Sequence, residues 1–488
     1  MKKIIYAMLP LLFIGACKKD KDFTALNTNP KAFSTVPAAS LFTQAERVLT
    51  NTLTSSNVNL NIFRLIVQHW NEVTYTDEMR YDLATRAIPD GLWNTLYRDV
   101  LNNLQLCAKN IPTDATIASS TIAKNDAAVV DILSVYTWYY LITTYGNVPY
   151  SQAFDPTTTF PKYDSAPVIM ADLVKRIDAD IAALNTTAGS FGSADPIYAG
   201  NTAKWKAFAT SFKLKMGITM ADYDAAAAKV VIESAAAGTL FASNADNAKF
   251  AYLGSTPNTN PIYVDLIQSG RNDFGAAKPI IDNLVANNDP RLPKYFTVTG
   301  ASTTTGLNPG VTTYSGSVPG NGAGFGTVSH VAVPITAQAF PGLLLDYAET
   351  EFNLAEASER GFTVIGTAAL HYTNAVTASI TYWGGTTTDA ATYLAQPAVA
   401  YPTATGTYKQ KIGTQKWLSD YNRGWDAYIE VRRLDFPVLA LPTAAKSGFP
   451  NRFLYPVAET NVNGTQKDLA ATAIGGDKVE TKLFFDKF

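Results

Sequence analysis

The chain has 488 residues, with 39 basic and 41 acidic side chains that leave a formal net charge of −2. It contains no cluster of Lys and Arg of the kind that binds nucleic acid, so that class of function is excluded. Charged residues make up 16% of the chain and aromatic residues 11%, against roughly 25% charged in an average soluble domain. A surface with few charges and many rings favours neutral polar ligands or a large protein interface. A compositional bias of the lineage is the alternative explanation.

The first residues have the layout of an export signal. A basic start at residues 1–3 precedes an apolar run over residues 4–16. This run is too short to span a hydrocarbon core, which needs about 20 residues, and the layout is typical of a cleaved signal peptide. Two small residues then precede Cys17, which is similar to the lipobox of bacterial lipoproteins. We therefore predict a lipoprotein signal peptide at 1–16 and lipidation of Cys17; an ordinary signal peptide with a chance Cys is the alternative.

A charged run after the anchor indicates a solvated, lipidated tether over residues 17–30. The run at 18–22 is also similar to the charged tag that carries some lipoproteins to the outer face of the outer membrane. Lipidation of Cys17 leaves only Cys107, which excludes an intramolecular disulfide. No other apolar run approaches membrane length. We therefore expect membrane attachment through the lipid anchor alone, and a single ligand-binding domain over residues 31–488.

Apolar residues recur at three- and four-residue spacing along most of the chain, which predicts amphipathic helices. The predicted helices cover residues 37–53, 59–73, 90–110, 125–144, 166–184, 202–222, 224–236, 342–360, 367–382 and 409–433. Short strands are predicted only at 249–253 and 452–457. The fold is therefore predicted to be mainly α.

Two long segments lack this spacing. Residues 297–329 are dense in Gly, Thr and Ser, and residues 384–407 are rich in Thr, Ala and Pro. Long loops within a compact domain are uncommon and are often binding loops. A disordered surface insertion is the alternative; it is favoured for 384–407, and both interpretations stay open for 297–329.

A series of short motifs follows in a fixed order. They are Leu26-Asn27-Thr28-Asn29-Pro30, Gln68-His69-Trp70, Trp93-Asn94-Thr95-Leu96-Tyr97, Tyr145-Gly146-Asn147-Val148-Pro149-Tyr150, Asn288-Asp289-Pro290-Arg291-Leu292, residues 351–357, Gln415-Lys416-Trp417 and Asn451-Arg452-Phe453. Their order and number resemble the SusD/RagB-like outer-membrane lipoproteins, particularly the second large branch of that superfamily.

The resemblance implies a scaffold of four tetratricopeptide-like helix pairs, with loop-rich insertions and extra helices on one side. It also implies a lipid-anchored protein at the exterior of the outer membrane that acts as a lid on a SusC-like TonB-dependent transporter. Members of the family deliver oligosaccharides, or peptides in some cases, to that transporter. On this resemblance the chain is a nutrient-binding protein and not an enzyme.

The sequence offers little catalytic chemistry. Its three His residues are far apart and lack metal-ligand spacing, and the Gly-rich run at 320–326 does not follow a strand as a nucleotide-binding loop would. Four Glu residues at 349, 351, 356 and 359 share one predicted helix; a glycosidase pair is less favoured for them than a solvated or salt-bridged stripe. We predict no catalytic residue, cofactor or metal. A surface glycoside hydrolase and a helical-repeat adaptor that binds only proteins are the alternatives.

Ligand contacts are expected from loop residues, because sugar rings stack their C–H faces on aromatic side chains while polar groups bind the hydroxyls. The candidates by loop position are Tyr75, Asp77, Arg80, Tyr81, Tyr314, Phe325 and Trp383. The segment 75–81 is the preferred one, and a packed loop anchor is the alternative for each residue.

Other conspicuous side chains are assigned to the interior. Five tryptophans follow helical spacing and are predicted to be core residues; they are Trp93, Trp138, Trp205, Trp417 and Trp425. Arg432 and Arg433 stand near a predicted helix C-terminus, where a cation is favoured by the helix dipole. We expect them to pair with Glu430 or Asp435 rather than to bind an anion.

Overall fold

The computed structural model describes residues 36–488. The predicted signal peptide at 1–16, the tether at 17–30 and Cys17 lie outside the described residues, so these remain predictions. Ala38–Phe488 forms one compact unit.

The first half of the described chain is a series of helices. They are α1 (Ala38–Thr54), α2 (Phe63–Ile66), α3 (Ile88–Asn94), α4 (Asn102–Asn110), α5 (Ser120–Tyr145), α6 (Ala166–Ala183), α7 (Thr202–Met220) and α8 (Ala225–Ala236). A π-helical segment, Thr95–Leu101, joins α3 to α4, so the predicted helix at 90–110 is one continuous helical stretch.

The second half contains shorter helices separated by loops. They are α9 (Lys278–Ala286), α10 (Leu292–Tyr295), α11 (Tyr347–Glu359), α12 (Ala368–Tyr382), α13 (Thr387–Leu394), α14 (Tyr408–Ser419), α15 (Gly424–Leu434), α16 (Val457–Val462) and α17 (Gly464–Ala473). Polar residues cap several N-termini. Asp346, for example, accepts a hydrogen bond from the Glu349 N–H at 2.7 Å and starts α11 at Tyr347 rather than at residue 342.

Helices pack in pairs along the chain: α1 packs with α4, α5 with α6, α7 with α8, α11 with α12, and α14 with α15. The predicted fold class, mainly α with tetratricopeptide-like helix pairs, is confirmed. The five tryptophans assigned to the core are all buried, as predicted.

Helix α5 lies at the centre of this scaffold. Its apolar residues face inward on all sides, and it ends at Gly146, whose φ of 86° suits glycine. Within the described residues it is the one helix long and apolar enough to cross a membrane, and 83% of that stretch is buried inside the protein. The expectation that no further apolar run reaches membrane length overlooked this core helix.

Three two-stranded antiparallel sheets join distant parts of the described chain. β1 (Trp70–Glu72) pairs with β5 (Phe274–Ala276), β2 (Val148–Pro149) with β3 (Tyr163–Asp164), and β4 (Lys249–Phe250) with β6 (Gly342–Leu343). Trp70 lies opposite Ala276 in the first sheet. The predicted strand at 249–253 is confirmed only for its first two residues.

Three predicted elements are wrong. The helix at 59–73 is reduced to α2, because the chain turns at Gln68 (φ 56°) and continues as β1. The helix at 409–433 is broken into α14 and α15 by a turn at 420–423. The strand at 452–457 is irregular: its Phe453 N–H donates to Thr144 O at 2.9 Å and not to a neighbouring strand. In all three segments the apolar spacing reflects burial on several sides rather than one regular face.

The disordered insertion predicted at 384–407 is also wrong. This segment contains α13, which starts with a capping box in which Thr386 and Asp389 bond reciprocally. Tyr393 and Val399 are buried in a small core with α11 and α12. The Thr-x-x-Asp pattern was the sequence signal for this helix.

Buried ion pairs connect the helix pairs. Arg433 binds both carboxylate oxygens of Glu356 at 2.5 and 2.6 Å, and binds Glu430 at 2.5 Å. Burial would raise the pKa of Glu356, but Arg433 and then Arg360 lower it to about 2. The salt-bridged interpretation of the helix glutamates is thus confirmed for Glu356, which is not solvated.

The predicted partners of the arginine pair are confirmed in part. Arg433 does bind Glu430, whereas Asp435 is exposed beyond the helix end. Arg432 instead donates to backbone oxygens, including Thr143 O at 2.9 Å.

Candidate functional site

Most predicted contact residues gather on one group of loops, which we call the loop face: residues 73–82 and 297–331. The first loop leaves β1 and is held by Asp273, whose Oδ1 accepts from the N–H groups of Thr74 (2.8 Å) and Tyr75 (3.1 Å). The Tyr75 side chain is 61% exposed, and Asp77 is exposed in the same loop. The backbone is therefore fixed while the Tyr75 ring faces solvent.

The Gly-rich run packs onto this loop. Arg80 Nε donates to Gly320 O at 3.0 Å, and the Ala323 N–H donates to Val73 O at 2.9 Å. Gly320 has a φ of 78°, and a Cβ there would lie 2.4 Å from Thr443 O. Residues 297–329 are therefore an ordered loop rather than a disordered insertion.

A buried acidic group lies under the first loop. Glu72 Oε2 accepts from the Met79 N–H at 3.1 Å. Burial, followed by the nearby carboxylates of Glu78 and Asp273, raises the pKa of Glu72 to about 9. Burial and the neighbouring carboxylates thus favour the neutral form of Glu72, against the opposing effect of Arg271, whose guanidinium lies 3.6 Å from Glu72 Oε1.

Tyr81 cannot stack on a ligand. Its side chain is 2% exposed, and its hydroxyl donates to Ile66 O at 3.1 Å. The backbone at Tyr81 has a φ of 65°, which turns the chain back into the core. The prediction of Tyr81 as a contact residue is corrected to a loop anchor, the alternative considered from sequence.

Phe325 and Tyr314 are half-buried in the loop face. The Phe325 ring stacks on His330 with a centroid distance of 3.8 Å and an angle of 8°, so one of its faces is covered. The gap beside Phe325 measures only 20 Å³, too small for a sugar ring. Tyr314 packs against the main core. Both serve largely as anchors.

Trp383 lies in a separate and larger cleft of 610 Å³, which we call the Trp383 cleft. Its apolar lining consists of Phe340, Ile335, Tyr382, Trp383 and three prolines at 293, 334 and 341. Residues 331–336 border both this cleft and the gap beside Phe325. The structure thus gathers Tyr75, Asp77, Arg80 and Phe325 on the loop face but does not bring Trp383 into that group.

Two rings form a platform in the Trp383 cleft. The rings of Phe340 and Trp383 are nearly parallel, with centroids 6.1 Å apart at 20°. Tyr295 meets Trp383 edge-on at 4.9 Å and stacks on Tyr421 at 4.1 Å. The backbone of Phe340 is fixed, because its carbonyl accepts from Asn260 Nδ2 at 2.7 Å. The platform is therefore rigid before any ligand arrives.

Among residues 36–488, no group of three or more His, Cys, Asp and Glu side chains is placed to hold a metal ion. The histidines make structural bonds instead. His371 Nδ1 lies 2.7 Å from Glu351, and burial lowers the pKa of His69 to about 3.

A sequence profile of the SusD-like family, described as starch-binding and associating with the outer membrane, matches residues 30–456. The chain belongs to the SusD-like family. The resemblance predicted from its motifs is confirmed. A search of curated protein sequences found no significant match.

Several solved structures of similar proteins have the same fold. A chitin-binding protein is 26% identical with a TM-score of 0.80, covering 92% of this chain and 100% of that one. A SusD homologue from Bacteroides uniformis is 25% identical with a TM-score of 0.75, covering 92% and 99%. A chitin-binding SusD homologue from Flavobacterium johnsoniae, 21% identical with a TM-score of 0.74 and coverage of 92% and 98%, agrees in fold.

Sequence reasoning missed part of the SusD-like chain's cleft. Phe340 stands in a Phe-Pro-Gly sequence just before β6, and its ring position depends on the fold of residues 331–343. The signal available was an aromatic residue between loop prolines. Trp383 was a candidate because of its loop position, directly after the predicted helix at 367–382.

Proposed function

We propose that this SusD-like chain binds oligosaccharides in the Trp383 cleft and delivers them to a SusC-like TonB-dependent transporter. The observation that carries the proposal is the platform of Phe340 and Trp383 in an open cleft. Parallel rings offer apolar faces on which the C–H groups of a pyranose stack. The names of the solved relatives and the family description make chitin and starch oligomers the first ligands to test.

The alternatives gain no support from the geometry. A glycoside hydrolase needs two available carboxyl groups on either side of a cleft, whereas Glu349 and Glu356 are both 1% exposed and ion-paired. An adaptor that binds only proteins would have no aromatic-lined pocket near the loops, and the Trp383 cleft is such a pocket.

Replacing either platform ring is expected to weaken oligosaccharide binding. Trp383→Ala and Phe340→Ala should each reduce affinity about tenfold, because each removes an apolar face from the ligand. Calorimetric titration with chitin and starch oligomers measures the effect. Phe488→Ala, which truncates a ring that is 66% exposed and does not line the cleft, is the control. Unchanged affinity in both platform variants would show that the oligosaccharide does not bind in this cleft.

We also propose that Cys17 carries the lipid anchor and that the protein faces the cell exterior. Cys17→Ser is expected to move the protein from the membrane fraction to the soluble fraction, because acyl chains supply the membrane affinity. Native protein should copurify with a barrel transporter after detergent extraction. Recovery of the native protein only in free, unmodified form would contradict both the anchor and the partnership.

A further inference from the structure

The Trp383 cleft carries positive charge, although this chain has few charged residues overall. Two lysines line it: Lys249 on β4, which is exposed, and Lys294 in α10, which is half-buried. The described residues that line the cleft include no Asp or Glu. Neither ammonium group forms an ion pair with another residue in the described range 36–488. The cleft therefore presents positive charge that the protein does not neutralise by contact.

Two neutral polar side chains of the cleft, Asn244 and Thr381, bond to each other and to the backbone. Asn244 Nδ2 donates to Ala378 O at 2.9 Å and to Thr381 Oγ1 at 3.1 Å, while Asn244 Oδ1 accepts from Asn247 Nδ2 at 3.3 Å. The Thr381 hydroxyl donates in turn to Thr377 O at 2.8 Å. Lys249 and Lys294 are the charged donors of the cleft, and Tyr382 is a further lining residue with a polar group.

Lys294 acts electrostatically on the carboxylate of Asp389, but this carboxylate is hydrogen-bonded elsewhere. The Asp389 carboxylate accepts from the N–H (2.7 Å) and the hydroxyl (2.8 Å) of Thr386 at the start of α13. These bonds lower the pKa of Asp389, with a smaller contribution from Lys294. Asp389 stabilises its own helix terminus and makes no direct bond to the lysine.

We propose that the Trp383 cleft selects oligosaccharides that carry anionic groups, either carboxylates or sulfates. The inference rests on the proposed function and names its ligand class. The platform of Phe340 and Trp383 binds a sugar ring, and Lys249 and Lys294 bind the anionic substituents beside it. Hydrogen bonds between charged groups are about twice as strong as neutral ones, so these two lysines would set the preference. The low share of charged residues in the whole chain favoured neutral ligands, whereas the lining of this cleft is positively charged.

The test compares matched ligands and matched variants. Oligogalacturonate and a sulfated oligosaccharide are titrated calorimetrically against neutral chitin and starch oligomers of equal length, with the Trp383→Ala variant alongside. Lys249→Met combined with Lys294→Met removes both charges and keeps the apolar stems. Lys229→Met combined with Lys278→Met is the control, because these exposed lysines pair with Glu233 and Asp282 instead of lining the cleft.

At low ionic strength, wild type should bind at least one anionic ligand about tenfold more tightly than the neutral ones. The cleft double variant should lose this preference and keep its neutral binding, while the control double variant should match wild type. Whichever of the two anionic ligands binds more tightly shows whether the cleft prefers carboxylate or sulfate. Neutral ligands bound as tightly as both anionic ones, or no effect of the cleft double variant, would overturn the inference. No effect of Trp383→Ala on any ligand would instead overturn the proposed function.

Discussion

Arg433→Met is expected to lower the free energy of unfolding by about 4 kcal/mol, because it removes one partner of a buried charge group. Arg433 is 2% exposed and binds Glu356 and Glu430. Methionine fills much of the same space but removes the positive charge that pairs with both carboxylates. Arg360 and Lys416 still reach them at 2.7 and 3.1 Å, which keeps the loss from being larger.

Urea unfolding followed by circular dichroism measures this effect. The folded-state pKa of Glu356, about 2, lies below its ordinary value of 4.5. Its contribution to stability is therefore present above pH 4.5 and is lost as the pH falls towards 2. The difference between wild type and Arg433→Met should shrink over that range. Arg98→Met, at a side chain 72% exposed, should change stability little. Equal stability of the two variants would contradict this account of the core.

Gly424→Ala is expected to destabilise the protein by about 3 kcal/mol, at the upper end for overpacking by one methyl group. Gly424 is the first residue of α15, and a Cβ there would lie 2.7 Å from the backbone nitrogen of Arg64. Arg64 cannot move aside easily, because its guanidinium donates to Thr54 O and Ser55 O, both at 2.9 Å. The nearest atom is the Arg64 Cγ at 2.6 Å, but the backbone nitrogen and Cα of Arg64 follow at 2.7 and 3.0 Å, so side-chain rotation alone cannot relieve the contact.

The control for Gly424→Ala is another glycine at the start of a helix. Gly464 is the first residue of α17, and a Cβ there meets nothing within 4 Å. Gly464→Ala should be neutral or should stabilise the protein by up to about 1 kcal/mol, because Ala favours the helix more than Gly. The thermal unfolding midpoint should therefore fall for Gly424→Ala, and should stay the same or rise for Gly464→Ala. Similar losses in both would show that crowding at Arg64 is not the cause.

The sequence was sufficient to predict the long helices in the first half of the described chain. The spacing of apolar residues predicted α5, α6, α7 and α8 within a few residues, since each packs into the scaffold along its length. The same signal failed at 59–73, where the chain turns at Gln68 with a positive φ and continues as β1. Helix α13 was missed because its Thr- and Ala-rich segment resembles a loop until the cap formed by Thr386 and Asp389 is recognised.

The candidate site was predictable only in part. Loop position correctly placed Tyr75 on the surface and Trp383 in a cleft, but it also suggested Tyr81, whose ring direction depends on backbone geometry. Lys249 and Lys294 lie on separate elements, and as single charges in a sequence each resembles an ordinary solvated residue. The fold alone shows that they share a cleft with Phe340.

A crystal structure of the protein with a bound oligosaccharide tests the central claim most directly. The account predicts a sugar ring lying against Trp383 and Phe340, with its charged or polar substituents towards Lys249 and Lys294. A sugar bound instead at Tyr75 on the loop face, with the Trp383 cleft containing only water, would contradict it.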